Sequence, residues 1–91
     1  MYQSSNYNGR LNVSSNKIKE LRIKNHLSLS GLSTKLALMG IDIPKPSLHK
    51  LETGQRVLKD YELYGLSHIF KVSIEELLDD FITELKNDDV V

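Results

Sequence analysis

Apolar residues recur along this chain at three- and four-residue spacing, in short stretches separated by polar turn signals. Ile18 and Leu21 predict a first helix over about residues 16–25, capped by Ser15 or Asn16. Leu29, Leu32 and Leu36 predict a second over about residues 29–39, started by Ser28 and weakened by Gly31 in its first turn. Gly40, Ile41, Asp42 and Ile43 turn the chain into a third, about residues 46–53, in which Leu48 and Leu51 bury one side. Asp60 caps a fourth, where Leu63, Leu66, Ile69 and Phe70 recur at helical spacing. Ser73 and Glu76 form a Ser-x-x-Glu capping box for a fifth, with Ile74, Leu77, Leu78, Phe81, Ile82 and Leu85 as its apolar positions. No segment alternates as a strand would, so the fold class is all-α.

The third helix is the most informative. With Leu48 and Leu51 turned inward, Lys45, Ser47, His49 and Lys50 face out. Pro46 suits a first helical turn, where its missing N–H costs nothing. It also disfavours a helical conformation at Lys45, so the helix is expected to begin at Pro46 with Lys45 extended ahead of it. Gly54 stands where the chain must leave the helix, and Arg56 and Lys59 follow within reach of a phosphate backbone. A short helix with one apolar side and one basic, polar side is suited to a DNA groove.

Charge strengthens that expectation. The 91 residues balance at zero net charge, with 12 basic and 12 acidic side chains. Residues 1–59 nevertheless carry +7, from ten basic and three acidic residues, and residues 60–91 carry −7. Such a division makes one end attractive to phosphate and keeps the other away from it. The length accommodates one domain. Residues 1–14 read as a flexible polar arm, 15–86 as the folded domain and 87–91 as a frayed tail. The absence of cysteine excludes disulfides and thiolate metal sites and fits a reducing compartment. No apolar run approaches the roughly 18 residues of a membrane span, and the first nine residues lack the apolar core of a signal peptide. A cytoplasmic protein is expected.

The order Lys17-Ile18-Lys19-Glu20-Leu21-Arg22, Leu27-Ser28, Leu32, Leu36, Ile43, Ser47-Leu48-His49-Lys50-Leu51-Glu52-Thr53-Gly54-Gln55-Arg56 and Val72 to Leu78 resembles the Xre/Cro family. These are lambda-repressor-like helix-turn-helix regulators of phages, mobile elements and bacteria. The resemblance spans about residues 16–79. It implies a five-helix domain whose second and third helices form the motif, with the third entering the major groove of double-stranded DNA. It further implies a dimer on a palindromic operator, repressing transcription. Glu52 matches a position that makes an internal polar contact in the family. The chain departs from the pattern in three places: Leu29 replaces a polar residue that contacts phosphate, the link through residues 38–42 is longer, and Pro46 alters the start of the third helix.

Candidate roles follow. Lys45, at the front of the third helix, is placed for a guanine contact. His49 either reads a base edge or phosphate, or is a surface histidine. Ser47 donates to a phosphate or helps cap the helix. Lys50, Arg56 and Lys59 are expected at phosphates, and Ser28 offers a phosphate its hydroxyl and nearby N–H groups, or simply caps. Arg10 reaches the minor groove from the arm or stays in solvent. Phe81, Ile82 and Leu85 continue the apolar stripe of the fifth helix beyond the core and are the expected homodimer surface, unless they fold back on the first helix.

Enzymatic chemistry finds no support in the motifs. His26, His49 and His68 lack metal-ligand spacing, no glycine loop is shaped to cradle a phosphate, and no serine lies in a nucleophile motif. No cofactor and no metal is expected. The rival to a DNA-binding repressor is a protein-interaction module on the same fold, an antitoxin, antirepressor or inhibitor, with its acidic C-terminal segment gripping a partner.

Overall fold

In a computed structural model of the chain, residues 9–88 are described, with side chains through residue 86. Most of the expected arm (residues 1–8) and the end of the expected tail (residues 89–91) lie outside the described residues. The described residues form six helices and no strand: α1 (Ser15–Lys24), α2 (Leu29–Leu38), α3 (Lys45–Glu52), α4 (Asp60–Phe70), α5 (Ile74–Leu77) and α6 (Asp79–Asp88). The expected fifth helix is thus two helices, broken at Leu78, whose N–H bonds both Ile74 and Glu75 carbonyls before α6 resumes.

The apolar periodicity locates the core. Ile18 and Leu21 of α1, Leu32 and Leu36 of α2, Leu48 and Leu51 of α3, Leu66 and Phe70 of α4 and Leu77 of α5 form one buried cluster. Ile41 and Ile43 of the α2–α3 link join it. Each fully buried Leu or Ile stabilises such a core by about 1.5–3 kcal/mol relative to exposure. Leu29, Leu63 and Ile69 are half-buried against it, Leu78 is half-buried, and Ile74, expected inside, is 41% exposed. Of the six apolar positions expected in the fifth helix, Leu77 alone is fully buried.

Helix starts and stops account for the backbone's polar groups. Ser28 Oγ accepts the Gly31 N–H at 2.9 Å, and Ser73 Oγ accepts the Glu76 N–H at 3.0 Å. Three starts differ from expectation. Helix α1 is preceded by Ser14 as its cap, with the Ile18 N–H on the Ser14 carbonyl at 2.9 Å, and not by Ser15 or Asn16. Helix α3 begins at Lys45, not Pro46, because extended Pro44 supplies the cap carbonyl for the Leu48 N–H at 2.9 Å. Ile43, buried and holding the Ser33 hydroxyl on its carbonyl at 2.7 Å, fixes the approach to that cap and overrides the local restriction at Lys45. Helix α4 is capped at Lys59, not Asp60. Glu62 Oε1 reaches back to the Lys59 N–H at 2.9 Å, while Asp60 bonds the Tyr61 N–H.

Four helices end alike, with an N–H reaching back five residues to the last turn: Leu27 to Arg22, Ile41 to Leu36, Gln55 to Lys50 and Val72 to Ser67. The residue before each donor is left-handed. Gly40 and Gly54 adopt that conformation freely, whereas His26 and Lys71 are held in it at φ 57°.

Gly65 sets the spacing between α4 and the link. A Cβ there would meet Ile41 Cδ1 and crowd Leu36 Cδ2 at 3.3 Å. Alanine would favour the helix by about 1 kcal/mol, but the overlap costs more. Gly65→Ala is expected to lower unfolding free energy by a net of about 1–2 kcal/mol in urea titrations. Ile41→Val removes the atom that is struck, so it should cost nothing further in the Gly65→Ala background. Simple addition of two losses would contradict this packing.

Candidate nucleic-acid interface

Helix α3 has eight residues, too few to be stable alone. Its neighbours hold it. Leu48 and Leu51 are completely buried, and Glu52 beside them is buried as well. The Glu52 carboxylate receives Arg22 Nε at 2.6 Å and Nη2 at 3.1 Å, a two-point pair whose side chains are 3% and 14% exposed. Arg22 Nη1 also donates to the Leu27 carbonyl at 2.8 Å. One guanidinium therefore ties together α1, the α1–α2 turn and the last turn of α3.

The end of α3 is secured from the other side by the N-terminal segment. Asn12 Nδ2 donates to the Leu51 and Arg56 carbonyls, both at 3.0 Å, and Asn12 Oδ1 accepts the Ser14 N–H. The Leu11 N–H meets the Gly54 carbonyl at 2.7 Å. The expected flexible arm is thus fixed from Arg10 onward. Arg10 does not stand in open solvent: its half-buried chain lies over Gly54, and Nη1 is 3.4 Å from Ser15 Oγ.

With 3.6 residues per turn, the outer side of α3 divides into strips. Lys45 and His49 stand one turn apart on one flank, Pro46 and Lys50 occupy the middle, and Ser47 lies on the other flank. Lys45, His49 and Lys50 are exposed and Ser47 is half-buried. Ser28 is exposed at the start of α2, and Lys59 is exposed with its Nζ 5.9 Å from the centre of the Tyr61 ring. Phe81 and Ile82 are half-buried on α6, and Leu85 is 47% exposed.

Arg56 is engaged within the fold: its guanidinium pairs two-point with buried Glu62, Nη1 to Oε1 at 2.9 Å and Nη2 to Oε2 at 3.0 Å, and so braces the α3–α4 loop. The bond to Glu62 holds the Arg56 guanidinium above its ordinary value. Burial alone would push the Glu62 carboxyl up. Hydrogen bonds from Arg56 and from the Lys59 N–H outweigh that and hold it below the ordinary 4.5.

Sequence reasoning missed Asn12, Arg22 and Glu62. The one acidic residue in an otherwise basic helix was a signal for Glu52, but nothing local names a partner thirty positions away. No group of three metal-ligating side chains occurs among the described residues, and no helix there is long and apolar enough to cross a membrane. Comparison with protein-family models, with curated proteins and with solved structures gave no match.

Glu52→Gln leaves the Arg22 charge buried without its counter-charge and is expected to lower stability by about 2–4 kcal/mol. Arg22→Met with Glu52→Leu should lose less than Glu52→Gln alone. Equal or larger loss in the double variant, by urea titration, would show that the pair does not act as a unit. Glu62 governs acid sensitivity. Its carboxyl binds a proton less readily folded than unfolded, so its contribution is complete above 4.5 and disappears as pH falls through the lowered value. Glu62→Gln should therefore be less stable at neutral pH and lose stability less steeply below about pH 4.5 than the unsubstituted chain. Parallel acid profiles would contradict this.

Proposed function

We propose that this protein is a sequence-specific DNA-binding transcriptional regulator, a cytoplasmic repressor with a lambda-repressor-like helix-turn-helix formed by α2 and α3. The observation that carries the reading is α3 itself. It is immobilised through Glu52, Leu48, Leu51 and the carbonyl of Leu51, while its opposite side presents Lys45, Ser47, His49 and Lys50 outward. A rigid helix with an unengaged basic face is what reading a major groove requires. Lys45 and His49 take the base-edge positions, and Lys50, Lys59 and Ser28 the phosphates. Lys45 is helical from the first position of α3, the end of a recognition helix that meets base edges. Arg56 is withdrawn from the phosphate set. The family resemblance of residues 16–79 supports the same reading, with a dimer on a palindromic operator.

A second reading has its own support. Leu29 stands where the family places a phosphate-contacting polar residue, and the chain is neutral overall. These favour a protein-interaction module, such as an antitoxin, in which the α3 face meets protein.

Selection of bound fragments from a random duplex library at about 0.1 M salt separates the two. Repressor function predicts a palindrome with half-sites roughly one helical turn apart. Lys45→Ala with Lys50→Ala should abolish that enrichment while leaving the helical signal and the thermal transition in place. With about six phosphate contacts in the complex, log K should fall against log salt with a slope near −5. No enrichment from folded protein, or operator binding by the double variant equal to that of the unsubstituted chain, would overturn the reading.

A further inference from the structure

On another side of the molecule, the C-terminal ends of α2 and α4 leave an open groove of about 280 Å³, lined by Lys35, Leu38, Met39, His68, Ile69 and Lys71. Its floor is apolar. Met39 and Ile69 are half-buried, and Leu38 at the edge is 84% exposed, the highest value among the large apolar side chains described. Its rim is cationic: Lys35 comes from α2, Lys71 from the left-handed turn after α4, and no carboxylate lines it. Tyr64 stacks on His68, with ring centres 6.3 Å apart, and so fixes the imidazole beside the floor. This shallow volume suits a few protruding side chains better than an enclosed small molecule.

Helix α6 has the complementary make-up. Asp79 and Asp80 are exposed in its first turn, while Ile82 and Leu85, three residues apart, lie on one side. Asp79, Asp80 and Glu84 stand outside the apolar stripe of Phe81, Ile82 and Leu85. Within its own chain α6 packs chiefly on α5, because the break at Leu78 redirects it. Leu85 consequently stays 47% exposed. The molecule thus carries a cationic groove with an exposed leucine and a projecting acidic helix with another.

We propose that this groove receives α6 of a second copy of the chain. Ile82 and Leu85 of one copy cover Leu38, Met39 and Ile69 of the other, and Asp79, a quarter turn round the helix from them, approaches the lysine rim of Lys35 and Lys71. The exchange is reciprocal, so one two-fold axis closes it and both grooves are filled. It specifies how the dimer of the preceding reading forms, and it stands or falls without DNA.

Charge reversal tests it by sedimentation equilibrium of the purified chain, in the absence of DNA. The unsubstituted chain should dimerise, more weakly as salt rises. Lys35→Glu with Lys71→Glu sets carboxylates against the Asp79 carboxylate and should weaken association at least about tenfold, as should Asp79→Lys. An equimolar mixture of the two variants pairs each reversed groove with a reversed helix and should recover dimers, with circular dichroism confirming that both fold. Recovery also excludes loss through misfolding. A monomer at all concentrations would overturn the proposal. So would unchanged dimerisation of the groove variant, which would mean α6 pairs elsewhere. Failure of the mixture to recover would leave the groove to a different protein. Operator selection tests the α3 face separately, since enrichment of a half-site depends on that face and not on how two copies pair.

Discussion

The Arg22–Glu52 pair decides where α3 sits. Removing two charges from water is costly, and a buried pair seldom repays that cost in net stability. What it supplies is direction. A guanidinium fork and a carboxylate meet at two points in one plane, so α3 cannot roll about its axis without breaking both bonds. Leu48 and Leu51 would tolerate such a roll far better, since apolar contact is non-directional. The third donor of Arg22, on the Leu27 carbonyl, extends the constraint to the approach to α2.

The same economy recurs elsewhere in a chain whose core is small. Asn12 accepts one N–H and donates to two carbonyls, anchoring residues before the first helix to the end of the third. Glu62 serves at once as counter-ion to Arg56 and as acceptor for the N–H that opens α4. In each case a single side chain satisfies a backbone group at a helix terminus and ties down a second segment, across 39 residues for Asn12 and across six for Glu62. Side chains of this kind let the eleven buried apolar residues among those described hold the first five helices in place.

Much of the fold was legible from periodicity, because Ile18, Leu21, Leu32, Leu36, Leu48, Leu51, Leu66, Phe70 and Leu77 repeat at helical spacing and are buried. Errors gathered where a distant contact overrode a local preference. Lys45 should avoid helix before Pro46, yet the extended Pro44 and buried Ile43 close the first turn around it. An unbroken stripe concealed the break at Leu78. The pairing of Arg56 with Glu62 was not legible either, because only the folded chain brings the two together. The outward positions of α3 were readable for a simpler reason: they depend on helical phase alone.

That outward strip has an evolutionary consequence. Among the described residues, the side chains of Lys45, Ser47, His49 and Lys50 take part in no hydrogen bond or ion pair, while those that orient α3 all lie on its inner side or beyond it. Variation on the outer strip is therefore decoupled from folding. Exchange of the exposed Lys45, His49 or Lys50 side chain breaks no bond that holds the fold, so a lineage carrying this chain can change the chemistry of this strip while keeping its architecture.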